Sequence, residues 1–151
     1  MSEQDSKRPV SVLVVDDETI IGLVLSELLI DFGFDVTLAT TGTEALERLT
    51  DGLFDILITD KNLPDFDGIE LTKKAKARDA DIEVIIITGY PSRQSIEEAY
   101  RVGVSTYLTK PFDNIQDVRD KVMLAVERRK QRVEEARISS ETNAVLHSKK
   151  S

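Results

Sequence analysis

The chain has no cysteine, which excludes disulfide bonds, thiolate zinc centres and thiol nucleophiles. It also lacks any apolar run of about 18 residues, so no membrane-spanning helix is expected. Its opening MSEQDSKRP is polar where a secretory signal needs an apolar core, and a cytoplasmic location is the expectation that fits these absences. Positive charge is scarce: 20 Lys and Arg stand against 28 Asp and Glu, a net charge of -8. A general nucleic-acid binder needs clustered cations to displace counterions from phosphates, so that class is disfavoured.

What remains is a soluble globular balance of 40% hydrophobic and 32% charged residues, and 151 residues suit one domain around one core. Charge is uneven along the chain. Residues 1–126 hold 13 cations and 24 anions, whereas 127–151 hold seven and four, so an acidic body carries a mildly basic tail.

Short β-branched apolar runs at 10–15 (VSVLVV), 54–59 and 82–88 read as buried parallel strands, with weaker strand signals at 35–39 and 105–108. Helical spacing fills the gaps at 19–32, 42–50, 68–78 and 92–101, and a last helix starts near Asp113. Five βα units predict an α/β fold, a doubly wound five-stranded parallel sheet with helices on both faces. The last helix loses its apolar stripe after Val126. Three parts are therefore expected: a disordered segment at 1–9, a domain at 10–127, and a helical extension with a polar tail at 128–151, disordered from about Ser139. Too few residues follow Val126 for a helix-turn-helix output domain. The extension reads either as a solvated helix end or as a linker or partner-binding segment.

In a doubly wound sheet the ligand crevice lies beyond the carboxyl ends of the strands. Asp16 and Asp17 end the first strand, Asp60 the third and Thr88 the fourth, and Lys110-Pro111 follows the fifth. Three carboxylates, a hydroxyl and an amine thus converge. Three carboxylates repel one another unless a cation is present, and all-oxygen ligands suit Mg2+ or Mn2+. One carboxylate is then free to act as nucleophile in phosphoryl transfer, with Lys110 and Thr88 neutralising charge on the transferring oxygens. Singly, each residue also has a structural reading. The acidic pair could cap the next helix, Asp60 and Thr88 could be turn residues, and Lys110 a solvated charge. The joint pattern favours chemistry.

VVDDE at 14–18, ITDKNLPDFDG at 58–68, ITG at 87–89 and YLTKPF at 107–112 resemble the signatures of response-regulator receiver domains of two-component signal transduction. The resemblance covers residues 10–127 and implies a flavodoxin-like sheet of order 2-1-3-4-5. It implies Asp60 as phosphoacceptor, Asp17 as a metal ligand, Asp16 holding a metal-bound water, and the Asn62 backbone carbonyl completing the set. Thr88, the Gly89 amide and Lys110 would contact phosphoryl oxygens, Lys110-Pro111 would be cis, and Tyr107 matches the switch aromatic. Leu63 and Phe66 stand where the family often has Met. Phosphorylation adds roughly -1.5 to -2 charge units, so Thr88 would be drawn to the phosphoryl group and Tyr107 could turn into the vacated space. The implied partners are a sensor histidine kinase or histidine phosphotransfer protein and a downstream protein target, with no direct nucleic-acid or membrane contact and a homodimer left open.

The first helix is unusually apolar. If Ile21, Val24, Leu25, Leu28 and Leu29 face the sheet, Ile20, Leu23 and Ile30 fall outside with Glu27 and form a stripe fit to dock a helix of the phosphodonor. The expected activity is a stand-alone signalling switch that catalyses only its own phosphorylation and dephosphorylation. Competing readings are a phosphorylation-independent interaction module, a receiver of a larger regulator, and an aspartyl-phosphate phosphatase. The last would want a second Asp where Asn62 stands.

Overall fold

A computed structural model describes residues 8–112 and 114–150, with side chains as far as 145. The expected disordered segment falls mostly on residues 1–7, outside the described residues, as does the expected helix start at Asp113. Strands β1 (Ser11–Val15), β2 (Asp35–Ala39), β3 (Ile56–Asp60), β4 (Glu83–Thr88) and β5 (Thr106–Thr109) form one parallel sheet in the order β2-β1-β3-β4-β5. Helices α1 (Thr19–Asp31), α2 (Gly42–Asp51), α3 (Gly68–Arg78), α4 (Arg93–Arg101) and α5 (Ile115–Lys150) alternate with them. The expected fold and strand order are both found.

Strand side chains alternate between the two faces of a sheet. Leu13, Val15, Leu57, Val84 and Ile86 point to one face, where Ala45 of α2, Leu71 and Ala75 of α3 and Ala99 of α4 cover them. Val12, Val14, Ile56, Ile58, Ile85 and Ile87 point to the other, under Leu25 and Leu29 of α1 and Val118, Val122 and Val126 of α5. Both faces are buried, which is why the central strands are continuous apolar runs rather than alternating ones. The strands therefore act as a rigid floor whose carboxyl ends share one edge.

Helix starts follow local chemistry. Thr41 accepts a 3.0 Å hydrogen bond from the Glu44 amide at the start of α2, and Asp67 accepts from the Ile69 amide at 2.7 Å at the start of α3. Ser92 and Ser95 form a reciprocal capping box for α4.

Two expectations need correction. Val24 does not face the sheet: it is 54% exposed, and the buried face of α1 is Gly22, Leu25, Ser26 and Leu29. These positions recur at the three-and-four spacing of one helical face, and small Gly22 and Ser26 let the helix sit close to the strands. Val24 instead joins Ile20, Leu23 and Ile30 outside. The tail is also ordered further than expected, because α5 runs unbroken to Lys150. Arg137 bonds Glu134 and Glu141, ion pairs at the three- and four-residue spacing that support a helix without any packing.

Candidate functional site

The carboxyl end of the sheet gathers the charged groups. Asp60 is the last residue of β3 and pairs across to Ile87 of β4; Thr88 pairs with Thr109, and the Lys110 amide donates to the Thr88 carbonyl at 2.8 Å. Backbone ladders thus fix where Asp60, Thr88 and Lys110 leave the sheet. The Lys110-Pro111 peptide is cis.

Lys110 is the hub. Its Nζ lies 2.8 Å from Asp60 Oδ2, 3.1 Å from Asp16 Oδ2 and 3.4 Å from Glu18 Oε1. Burial alone would lower the lysine pKa, but the hydrogen bonds to Asp60 and Asp16 outweigh it, so the ammonium is held charged beyond its ordinary range. Asp16 is fully buried, and that burial raises its pKa against the opposing pull of the Glu18 amide and Lys110. Asp16 Oδ1 accepts from the Glu18 amide at 2.9 Å, while the only group paired with Oδ2 among the described residues is the Lys110 ammonium.

The capping explanation of the acidic pair fails here. Glu18 occupies the cap position of α1 and makes no side-chain cap hydrogen bond. Asp16, Asp17 and Asp60 instead offer carboxylate oxygens that all lie within 4.8 Å of one another, with Asp17 exposed and the other two buried. Three close carboxylate oxygens, with only one lysine to neutralise them, fit a hard divalent cation approached from the solvent side through Asp17. The site can hold such an ion.

Asn62 is brought to the same place, since its amide donates to Asp60 Oδ1 at 3.0 Å. The two oxygens of Asp60 are therefore held by different groups, Lys110 on one and Asn62 on the other. Gly68 makes this packing possible. A Cβ built there would lie 2.3 Å from the Asp60 carbonyl oxygen, so only glycine lets α3 begin against the end of β3.

Thr88 is buried and accepts from the Tyr90 amide through Oγ1 at 3.2 Å. With half-buried Tyr107 it lines a small pocket whose walls include Ile69, Ile86, Ile96 and Ala99. Gly89, directly after β4, is exposed, and a side chain built there would meet open space. Ile20, Leu23 and Ile30 are exposed on α1, which follows directly from the acidic pair.

Three contributors escaped the sequence reading. Glu18 reaches Lys110, as given above. Lys121 of α5 donates to the Tyr107 carbonyl at 3.0 Å and sits 5.6 Å from the centre of its ring. Asp65 ties the loop after β3 to α2. No local pattern marks the last two, because their partners are 14 and more than 20 residues away.

Residues 12–123 match the family described as the response regulator receiver domain. The chain is 38% identical over 120 residues to the chemotaxis protein CheY of Pseudomonas aeruginosa, covering 78% of this chain and 96% of that one. It is 37% identical over 111 residues to sporulation initiation phosphotransferase F of Bacillus subtilis, covering 74% of this chain and 89% of that protein. With the transcriptional regulatory protein ZraR of Escherichia coli it shares 37% identity over 116 residues, 76% of this chain but only 26% of the relative. Among solved structures, a CheY-like receiver domain protein from Methanospirillum hungatei superposes with a TM-score of 0.78 at 28% identity, over 83% of this chain and 99% of that one. The chain belongs to the response-regulator receiver-domain family of two-component signalling.

Proposed function

We propose that Asp60 accepts a phosphoryl group from a sensor histidine kinase or histidine phosphotransfer protein in the cytoplasm, and that the modified protein regulates a downstream partner through the face around Tyr107. The observation that carries this reading is the clasp of Lys110 Nζ on Asp60 and Asp16, with the Asp17 carboxylate close beside them. Such a pocket is built for excess negative charge. An Asp60 carboxylate oxygen attacks phosphorus, the P–N bond of a phosphohistidine donor breaks, and the imidazole leaves with the electron pair, which makes an acyl phosphate on Asp60.

Mg2+, or Mn2+ in its place, would be held by Asp17, Asp60 and the Asn62 carbonyl, with Asp16 acting through water. When bound it supplies charge neutralisation and orientation to the incoming phosphoryl oxygens. Lys110 remains charged and moves with the new oxygens, and the Thr88 hydroxyl and Gly89 amide are placed to donate to them. Turning of Thr88 opens the pocket it shares with Tyr107. The ring can then shift inward, a change of packing biased by charge.

The exposed α1 stripe of Ile20, Leu23, Val24 and Ile30 beside the acidic site supports docking of a helix of the phosphodonor. Ile20→Glu that leaves transfer from the cognate kinase untouched would remove that docking. Intact mass after incubation with acetyl phosphate, with and without MgCl2, tests the main reading. A metal-dependent phosphoryl adduct absent in Asp60→Asn supports it, and no adduct from either acetyl phosphate or a phosphorylated histidine donor makes the protein a phosphorylation-independent module.

A further inference from the structure

The loop from Lys61 to Asp67 joins β3 to α3 and carries the residues beside the phosphoacceptor. Its two ends are tied to each other and to the sheet. The Lys61 amide donates to Ile87 at 2.8 Å, the Gly68 amide to Lys61 at 2.7 Å, and Asn62 and Asp67 form a β-bridge. Leu63 and Phe66 pack the middle of the loop against the core, and Asp65 supplies its polar tie to the neighbouring helix. Asp65 Oδ1 accepts from the Gly42 amide at 2.9 Å, and Oδ2 accepts from the Thr43 amide at 2.7 Å and the Thr43 hydroxyl at 2.6 Å. Asp65 Oδ1 also takes the Phe66 amide at 3.1 Å, so the carboxylate organises its own loop as well.

These donors sit at the first turn of α2, where unsatisfied amides and the helix dipole attract an anion. Phe66 lies over the same turn, since a Cβ at Gly42 would come within 2.5 Å of its ring. Burial raises the Asp65 pKa, but the Thr43 hydroxyl and the Thr43 and Gly42 amides outweigh it and hold the pKa at about 2. The carboxylate is therefore charged at any working pH. An exposed aspartate taking three donors from the start of α2 is a charged peg between two segments more than 20 residues apart.

We infer that Asp65 is a positioning residue for the metal site: by pegging the loop to the start of α2 it fixes the residue 62 backbone at the mouth of the acidic pocket. This rests on the metal-assisted reading given above. Removing the peg leaves residues 63–66 held only by the packing of Leu63 and Phe66 and by the Asn62–Asp67 bridge, so the residue 62 backbone is placed less firmly at the pocket and divalent-cation affinity drops. The loop remains tied at both ends, so the chain keeps its fold.

The test is a titration of the full chain with MgCl2 alone, followed by 15N–1H NMR, with no phosphodonor present. Groups that directly orient metal ligands are worth about 10- to 100-fold in affinity, so this more distant peg should be worth about fivefold. Asp65→Ala should weaken Mg2+ binding by about that factor, and Asp65→Asn, which keeps an acceptor oxygen, should recover part of it. Leu49→Ala thins the packing of the same helix against the core and should lower thermal stability while leaving the Mg2+ affinity at the wild-type value. Binding by Asp65→Ala within twofold of wild type, or an equal loss in Leu49→Ala, overturns the inference. Wild-type protein that binds no Mg2+ defeats the metal site itself.

Discussion

Glu83 opens β4 at the amino-terminal end of the sheet and is fully buried. Its Oε2 accepts the Ser105 hydroxyl, but Oε1 has no hydrogen-bond donor among the described residues and only the Arg132 guanidinium beside it, at 3.3 Å. Nearby Lys76 donates to the Ile82 carbonyl at 2.7 Å, and burial together with Arg132 lowers its pKa. Arg132 is thus the charge that answers a buried carboxylate. Breaking a fully buried ion pair costs about 3–5 kcal/mol. Because the Arg132 side chain is 44% exposed and water can reach the cluster when it is removed, Arg132→Ala should cost less, about 2 kcal/mol. For a domain of this size that lowers Tm by about 4–8 °C.

The pair can be isolated by a double-mutant cycle. Glu83→Gln removes the charge and keeps the shape, so in that background Arg132→Ala should cost at least about 1 kcal/mol less. Urea unfolding followed by far-ultraviolet circular dichroism, with an unchanged m-value, reads both numbers. If Arg132→Ala lies within about 0.5 kcal/mol of wild type, or the cycle shows no coupling, the reasoning fails. Success would place the end of the folded unit at Arg132, past the Glu127 boundary expected from the apolar stripe.

Three further outcomes follow from the geometry. Gly68→Ala puts a Cβ 2.3 Å from the Asp60 carbonyl and should destabilise the protein by about 1–3 kcal/mol, measured by urea titration. Asp65, with a folded pKa of about 2 against an ordinary 3.8, binds its proton less readily when folded. Its contribution to stability is complete above pH 3.8 and is lost as pH falls towards 2, so its carboxyl carbon should titrate near 2 by NMR, and a midpoint near 3.8 would contradict the peg. Lys110→Ala leaves Asp16 and Asp60 facing each other without their shared cation, so it should lower Tm, and millimolar MgCl2 should raise the Tm of the variant more than that of wild type.

The sheet was legible because its central strands are buried on both faces and end in chemistry. VLVVDD and ILITD announce a strand and its active end together, and those ends meet as the doubly wound rule requires. The first helix was harder. TIIGLVLSELLID is apolar nearly all round, so its phase rests on where the small residues go, and Gly22 and Ser26 carry no hydrophobic signal even though they face the sheet. Val24 was misplaced for that reason. Residues 139–150 looked disordered because helices were read from apolar stripes, whereas this stretch continues an existing helix and needs no new nucleus. Asp65 drew no reading from the sequence, since nothing near it reveals that its partners are Gly42 and Thr43.

The basic tail changes meaning once its partners are seen. Arg128 donates to the Ser105 carbonyl at 2.9 Å, and Arg129 bonds Asp55 and Asp79 at 2.9 and 3.1 Å. Arg132 faces Glu83, and Arg137 is held by Glu134 and Glu141 within its own helix. Three of the seven cations in residues 127–151, Arg128, Arg129 and Arg132, are thus engaged with the body's own carboxylates and carbonyls. Charge asymmetry along a sequence suggests an external acidic partner only while those cations are free. Here the positive charge answers Asp55 and Glu83 at the amino ends of β3 and β4 and Asp79 at the carboxyl end of α3, fastening α5 to the edge of the sheet opposite Asp60. The same helix carries Lys121, which contacts Tyr107, so one continuous element touches both Tyr107 and the buried Glu83 cluster.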